Sequence, residues 1–546
     1  MTPAPVLRAR LGLAAVCLVA VILGSPGLTS ESSVTLHGDM PKYLMNGVYM
    51  LDVLHDRPFD SVNTFVDYTR LYFARYPALT LGHHPPLLSA AEVPMFAVFG
   101  VSVVSARFIV LSAFVGAVAL LYALMNELYG PTAALLAGIF VATSPQTVLL
   151  GRSVLSEMPA LALALASAYC LRRFCATERR LALVGFVVTA SLSLYAKQLA
   201  VFVFPAYLAA AVASLGYRRL LRRDIVLAAA TIALVSMPLV PMTLMLSSSN
   251  VEWTLTSAQN AYRNPLGIVW KALSPQLTMP ILLLSAAGMG RVMIHRDLRS
   301  VLFVVWVLVV LGGVAVVGRI EPGRYGVFAV PALCALAAAT VAGFRGRRTA
   351  AAAVGVCLLA GGHQAVAATR VSVEGAGGYE EAARFVLSSD PGPTVIFSGD
   401  IDTGFFTFFV RKHDLDRRLV VLRADKLFTT SRMADVAYQD RIETPDEIYE
   451  ALRRLGTRYV VIEDRPSRSA VLRWLQEELR SAKFAERWRM PIETTDPRLR
   501  GTSLAVYEYL EAGAPDPDAE LSMDLPIVGR SLSVPLSDLV QRKYLR

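Results

Sequence analysis

Residues 35–44, "TLHGDMPKYL", set one carboxylate, Asp39, among His37, Lys42 and Tyr43. Further along, "GHHPPLL" pairs His83 and His84 ahead of Pro85 and Pro86, whose rings stiffen the backbone and hold the imidazoles in a fixed direction. "GRSVLSEMPA" carries Arg152 and Glu157, "LYAKQLA" carries Lys197, and "RIEPGRYGVF" carries Glu321, Arg324 and Tyr325. A carboxylate, imidazoles and permanent cations are the side chains of proton transfer and anion binding. Each also has a plainer reading. Arg152, Lys197 and Arg324 suit snorkelling anchors at the ends of apolar spans. Glu157, between Ser156 and Pro159, suits a helix start. His37 and His55 read as surface histidines. The adjacent His83 and His84 make a poor metal site without a third ligand.

The elements that must position these groups are apolar. Of the 546 residues, 54% are hydrophobic and 18% are charged, against roughly a quarter charged in a soluble protein. Mean hydropathy is +0.48. This composition predicts a polytopic α-helical membrane protein. About eleven spans are expected, at 11–24, 102–126, 132–150, 155–174, 181–197, 198–216, 224–246, 266–290, 299–318, 322–343 and 349–369. The pair at 181–216 also reads as a hairpin turning at Lys197 or as a re-entrant segment.

The net charge of +10 follows topology and does not indicate nucleic acid. With the N-terminus cytoplasmic, "LRRFCATERR", "YRRLLRRD", "RVMIHRDLR" and "FRGRRT" all fall in inner loops. The short outer loops carry few Lys or Arg: Arg152, Lys197, Arg263, Arg319 and Arg324. The loop 29–100 and everything after residue 370 are then extracytoplasmic. Asp39, Lys42, His83, His84, Arg152, Glu157, Lys197, Glu252, Arg263, Glu321 and Arg324 recur at one membrane boundary. Ionisable groups at that depth are costly and point to function.

Three regions are expected: 1–369, the membrane part including the loop 29–100; 370–511, a soluble α/β domain; and 512–546, an extended tail. In the loop, "VDYTRLYFARYPAL" suits an amphipathic stretch at the interface. In the soluble domain, "TVIFSG", "RLVVLRA", "RYVVIED" and "LAVYEYL" read as strands, and "TPDEIYEALRRL" as a helix capped by Thr444. "SGDIDTG", with Asp400 and Asp402, resembles a nucleotide-sugar D-x-D pair, but a strand-end turn is the better account. Walker A, GxGxxG and HExxH motifs are absent from the sequence. The five cysteines lie in or beside apolar runs without a CxxC.

The order "GDMPKYL", "HHPPLL", "GRSVLSEMP", "YAKQ", "EPGRYGVFAVPAL", closed by an outer α/β domain, resembles the glycosyltransferase-C (GT-C) superfamily. The likeness is to its bacterial dolichyl-phosphate-mannose–protein-mannosyltransferase-like and aminoarabinose-transferase-like branch. The resemblance implies an inner-membrane enzyme that moves a sugar from a polyprenyl-phosphate carrier to a lipid, glycan or protein acceptor at the outer face. By resemblance, Asp39 is the general base and the reaction inverts the anomeric carbon. His84, Lys197 and Arg324 are implied to hold the donor phosphate. His83, Glu157, Lys42, Tyr43, Arg152 and Tyr325 are implied to bind or orient substrates. His84 stands where relatives often have Lys, and Glu157 where they usually have Asp. Some relatives use a divalent cation, which Glu157 would help to hold; no other cofactor is implied. A multi-span transporter or lipid flippase is the alternative. Transporters often show internal repeats, and none is visible here.

Overall fold

The computed structural model describes residues 3–31, 33–34, 38–246, 264–317, 322–341, 344, 346–399, 404–431, 438–467, 469–525 and 530–545. His37, Glu252, Arg263, Arg319, Glu321, Asp400 and Asp402 lie outside the described residues. The chain forms two compact units. One comprises Met1–Leu28, Arg107–Pro241 and Thr254–Ser372; the other comprises Thr29–Ala106, Met242–Trp253 and Val373–Arg546.

The first unit is helical. Among the described residues, seven helices in the chain are long and apolar enough to cross a membrane, or eight if one bent pair is a single span. Expected spans at 181–197, 266–290 and 322–343 instead contain shorter apolar helices: Arg180–Ala196, Met279–His295 and Gly323–Ala339. Local breaks explain the difference. Lys197 is extended, at φ −157° and ψ 127°, and a 3-10 turn, Gln198–Val203, follows it. The 132–150 span bends by 64° between Pro131–Ala142 and Pro145–Gly151. There Ser144 Oγ accepts from Thr147 N and Pro145 opens the new helix, so the sequence itself starts a second element. Leu181, Val188, Leu234, Leu308 and Leu359 point outward. Such exposed aliphatic side chains suit a hydrocarbon solvent.

In the second unit, three helices follow Asp39: Met40–Asp56, Val62–Arg75 and Leu87–Phe99. The aromatic face of Val62–Arg75, expected to lie in the membrane interface, turns inward. Tyr68 and Tyr72 are buried, and their hydroxyls donate to Asp56 Oδ2 at 2.8 Å and Asp52 Oδ2 at 2.7 Å. All four expected strands form. The five-stranded sheet has the spatial order Val420–Arg423, Thr394–Ser398, Thr457–Glu463, Ser503–Tyr509, Phe484–Pro491. The first three strands are parallel, and the last two join antiparallel. Thr394–Ser398 is buried along its whole length, as a central strand covered on both faces requires. The helix Pro445–Arg454 forms with Thr444 at its N-cap position. Thr444 Oγ1, however, donates to Glu447 Oε1 at 3.0 Å and does not cap a backbone N–H.

Residues 512–546 are not an extended tail. Glu520–Leu525 and Arg530–Pro535 pair as an antiparallel hairpin, followed by the short helix Leu536–Val540. Leu521, Met523, Leu532 and Val534 alternate along the hairpin and enter the domain core. That period-two pattern buries one face of each strand.

Candidate active site

Asp39 occupies the N-cap position of Met40–Asp56, yet its side chain makes no cap hydrogen bond. The backbone does the local work: Asp39 O accepts from Lys42 N at 3.1 Å and Tyr43 N at 3.2 Å. The carboxylate turns to side chains instead. Lys42 Nζ donates to Asp39 Oδ1 at 2.9 Å, and His84 Nε2 lies 3.5 Å from the same oxygen. The Tyr43 hydroxyl lies 3.2 Å from His84 Nδ1, and the two rings stack with centroids 4.5 Å apart. Nε2 of His84 thus faces the carboxylate and Nδ1 faces the Tyr43 hydroxyl. His83 packs edge-on to His84, with centroids 4.4 Å apart. Ser89 Oγ donates to Tyr43 O at 3.1 Å and ties the helix that follows the prolines to the helix that carries the acid. The side chains of Asp39 and His84 are 14% and 9% exposed. The carboxylate is therefore reachable but largely sheltered.

The other predicted groups gather in the first unit. Glu157, fully buried, accepts from both Lys197 Nζ and Arg324 Nε through one oxygen, Oε1. Lys197 stands at the extended break, which frees its side chain from a helical direction. Its ammonium sits 5.4 Å from the Tyr325 ring centroid. Arg324 lies on the short turn Pro322–Tyr325. Gln276 Nε2 donates to Gly323 O in that turn, and Trp306 Nε1 donates to Phe328 O in the 3-10 segment Gly326–Ala329 that follows it. Two cations and one carboxylate thus meet in a sheltered place. Such a centre suits a phosphate anion, because weak screening enlarges each charge's effect. Glu157 thus serves as an ion-pair partner, beyond starting the helix Glu157–Thr177.

Arg152 departs from the expectation that it pairs with Glu157. Its Nε donates to Leu23 O at 2.8 Å and its Nη1 to Val371 O at 2.7 Å. It sits at the C-cap of Pro145–Gly151, where the chain turns its side chain toward those carbonyls. It braces backbone within the first unit. Among the described residues, no group of three or more His, Cys, Asp or Glu side chains is placed to hold an ion. Glu157, the carboxylate offered to a cation by the resemblance, is engaged by Lys197 and Arg324.

Two features escaped the sequence reading. Glu92 is fully buried on Leu87–Phe99, and neither carboxylate oxygen has a hydrogen-bond partner among the described residues. Asp52 and Asp56 are buried in the second unit and fully engaged. Their spacing of four on an apolar helix was the available signal, since it places both on one face.

The model of the dolichyl-phosphate-mannose-protein mannosyltransferase family matches residues 83–241. That stretch holds His83, His84, Arg152, Glu157 and Lys197, while Asp39 and Arg324 fall outside it. Among solved structures, ArnT from Cupriavidus metallidurans bound to undecaprenyl phosphate aligns with a TM-score of 0.53 and 12% identity, over 92% of this chain and 98% of that one. The same protein in its apo state gives a TM-score of 0.52 at 13% identity, over 91% and 97%. The chain has the GT-C fold. The archaeal oligosaccharyltransferase AglB from Archaeoglobus fulgidus, in complex with an inhibitory peptide and a dolichol-phosphate, aligns over 83% of this chain and 69% of that one, with a TM-score of 0.50 and 13% identity. A sequence search among curated proteins finds no match. The GT-C likeness extends over nearly the whole chain, and it accords with a multi-span helical part followed by a strand-containing C-terminal domain.

Proposed function

We propose that this GT-C chain is a membrane glycosyltransferase that takes a sugar from a polyprenyl-phosphate carrier and transfers it to a hydroxyl of a lipid, glycan or protein acceptor. Asp39 takes the acceptor's proton. The acceptor oxygen bonds to the anomeric carbon from the face opposite the leaving group. The bond from that carbon to the phosphate oxygen breaks, and its electron pair leaves on polyprenyl phosphate. The configuration at carbon inverts.

The observation that carries this reading is the carboxylate of Asp39. It holds a cap position without capping, and it is aimed at Lys42 and His84. A carboxylate tied up in a helix cap would have its lone pairs occupied; this one presents an oxygen to side chains. Lys197 and Arg324 are assigned to the donor phosphate as two cations that meet at one buried carboxylate, and His84 on its sheltered imidazole. Lys42 pairs with the acid, Tyr43 and His83 pack against His84, and Tyr325 faces the Lys197 ammonium. Family model and neighbours support the lipid-linked donor: ArnT is described with undecaprenyl phosphate and AglB with dolichol-phosphate. The proposed setting is the inner membrane, with the C-terminal domain extracytoplasmic.

The test is transfer from radiolabelled polyprenyl-phosphate sugars into a membrane extract, comparing wild type with Asp39→Asn. Loss of a general base costs on the order of 10²–10⁴-fold in rate. Wild-type turnover by the variant would remove Asp39 from the mechanism.

A further inference from the structure

The helix that begins at Asp39 is gripped along its length by the C-terminal domain. At its start, the backbone of Gly404 lies so close to Pro41 that a Cβ added there would sit 2.7 Å from the proline ring. Gly404 is in an ordinary right-handed conformation, φ −100° and ψ −27°, so close approach is what excludes a side chain. Roughly 16 Å further along Met40–Asp56, Arg411 forms a two-pronged pair with Asp52: Nε to Oδ2 at 2.9 Å and Nη2 to Oδ1 at 2.5 Å. At the last turn, Arg417 repeats the motif on Asp56, with Nη1 to Oδ2 at 2.5 Å and Nη2 to Oδ1 at 2.7 Å.

Each carboxylate takes a tyrosine hydroxyl as well, Tyr72 on Asp52 and Tyr68 on Asp56. Two parallel rungs of tyrosine, aspartate and arginine result. Arg75 closes the set by donating from Nη1 to Arg417 O at 2.6 Å. All these groups are buried. A planar guanidinium bound at two points fixes angle as well as distance. Two such forks, on residues four apart, fix both the rotation and the axial position of the helix.

We propose that the C-terminal domain is a positioning part of the catalytic centre: through Gly404, Arg411 and Arg417 it sets where the helix Met40–Asp56 presents Asp39. This deepens the reading of Asp39 as base and rests on it. Arg411 and Arg417 are positioning residues, since each acts through the helix and lies far along it from the acid.

The test uses the full chain in lipid nanodiscs and two readouts. Arg411→Lys keeps a charge on Asp52 but loses the fork. Gly404→Ala keeps every ion pair and pushes on Pro41. Both variants are expected to lower kcat on the order of ten- to a hundredfold, since a displacement of about 1 Å at a reacting group has that effect. KM for the polyprenyl-phosphate sugar should stay within about twofold of wild type. Amide hydrogen exchange at 39–46 should speed up in both. If Arg411→Lys does not fold, Tyr72→Phe removes one hydrogen bond from the same rung and should move both readouts in the same direction by less.

Unchanged exchange at 39–46 in Gly404→Ala overturns the proposal. So does unchanged kcat alongside an Asp39→Asn variant that has lost turnover. If Asp39→Asn retains turnover, the base assignment has failed, and the exchange data alone decide whether the domain positions this helix.

Discussion

At the residue scale, Glu92 and Gly47 form a matched pair. A Cβ on Gly47 would sit 2.3 Å from Glu92 Oε2, so a glycine in mid-helix is what admits the carboxyl. Glu92 lies on Leu87–Phe99, too short to be counted among the candidate spans. Burial pushes its carboxyl well above the ordinary value of 4.5. The folded chain therefore keeps the proton that the unfolded chain releases once the pH exceeds about 4.5. Native stability falls as pH rises from there toward the folded value. Glu92→Gln removes that loss, so thermal unfolding of the variant at pH 7.5 should occur above wild type. The difference should vanish near pH 4. Gly47→Ala should destabilise at both pH values, because the clash is steric. None of this was visible in "SAAEVP". A single acid in an apolar stretch does not announce its depth, whereas Asp39, Glu157, Lys197 and Arg324 were legible because several polar groups recurred at the ends of apolar runs.

At the scale of elements, the carboxylates of Asp56 and Glu380 carry a pH dependence of opposite sign. Burial would raise the Asp56 carboxyl, but its bonds to Arg417, His55 and Tyr68 outweigh burial and hold it below the ordinary 3.8. Glu380 behaves alike: burial is outweighed by His413, Lys412 and Arg384, so its carboxyl lies below 4.5. A carboxylate with a depressed folded value contributes stability above its unfolded value, and that contribution is lost as pH falls through the folded one. Hydrogen exchange across Met40–Asp56 and Phe405–His413 should therefore stay slow down to about pH 4 and accelerate below it. Asp56→Ala should cost roughly 3–5 kcal/mol at pH 7, since it strands the Arg417 charge in the interior. Strands and helices of the C-terminal domain were legible from apolar runs and turn residues. The C-terminal hairpin was not, because Pro and Asp on its exposed positions hid the alternation of Leu521, Met523, Leu532 and Val534. Breaks inside apolar runs were also missed, since hydropathy sums over Ser144–Pro145 and Lys197 without registering a bend.

At the scale of the whole molecule, span parity decides which side of the membrane the C-terminal domain occupies. The Arg-rich loops favour a cytoplasmic N-terminus. An odd number of crossings then places everything after residue 370 outside, and an even number returns it to the cytoplasm. A phosphatase reporter fused after residue 370 is expected to be active only in the extracytoplasmic space. Activity of a cytoplasmic reporter at that position would reverse the proposed sidedness. The chain's membrane character was plain from composition. The number of crossings was not, because Arg180–Ala196, Met279–His295 and Gly323–Ala339 are apolar enough to read as spans yet shorter than the others.

The proposed assignment of Lys197 and Arg324 to the donor phosphate has a kinetic side. A sugar donor is a phosphodiester with one negative charge. The carrier released after transfer is a monoester, which bears about −1.5 to −2 at pH 7 because its second proton leaves near pH 6. If Lys197 and Arg324 hold the phosphate as proposed, they bind the spent carrier more tightly than the donor. One extra charge at about 4 Å contributes roughly 1 kcal/mol even in watery surroundings, close to fivefold in affinity. Product inhibition by free polyprenyl phosphate is expected, and it should strengthen between pH 5.5 and pH 7.5 as the monoester loses its second proton. Inhibition constants measured at the two pH values check this, and an enzyme so built turns over only as fast as the used lipid is cleared from its site.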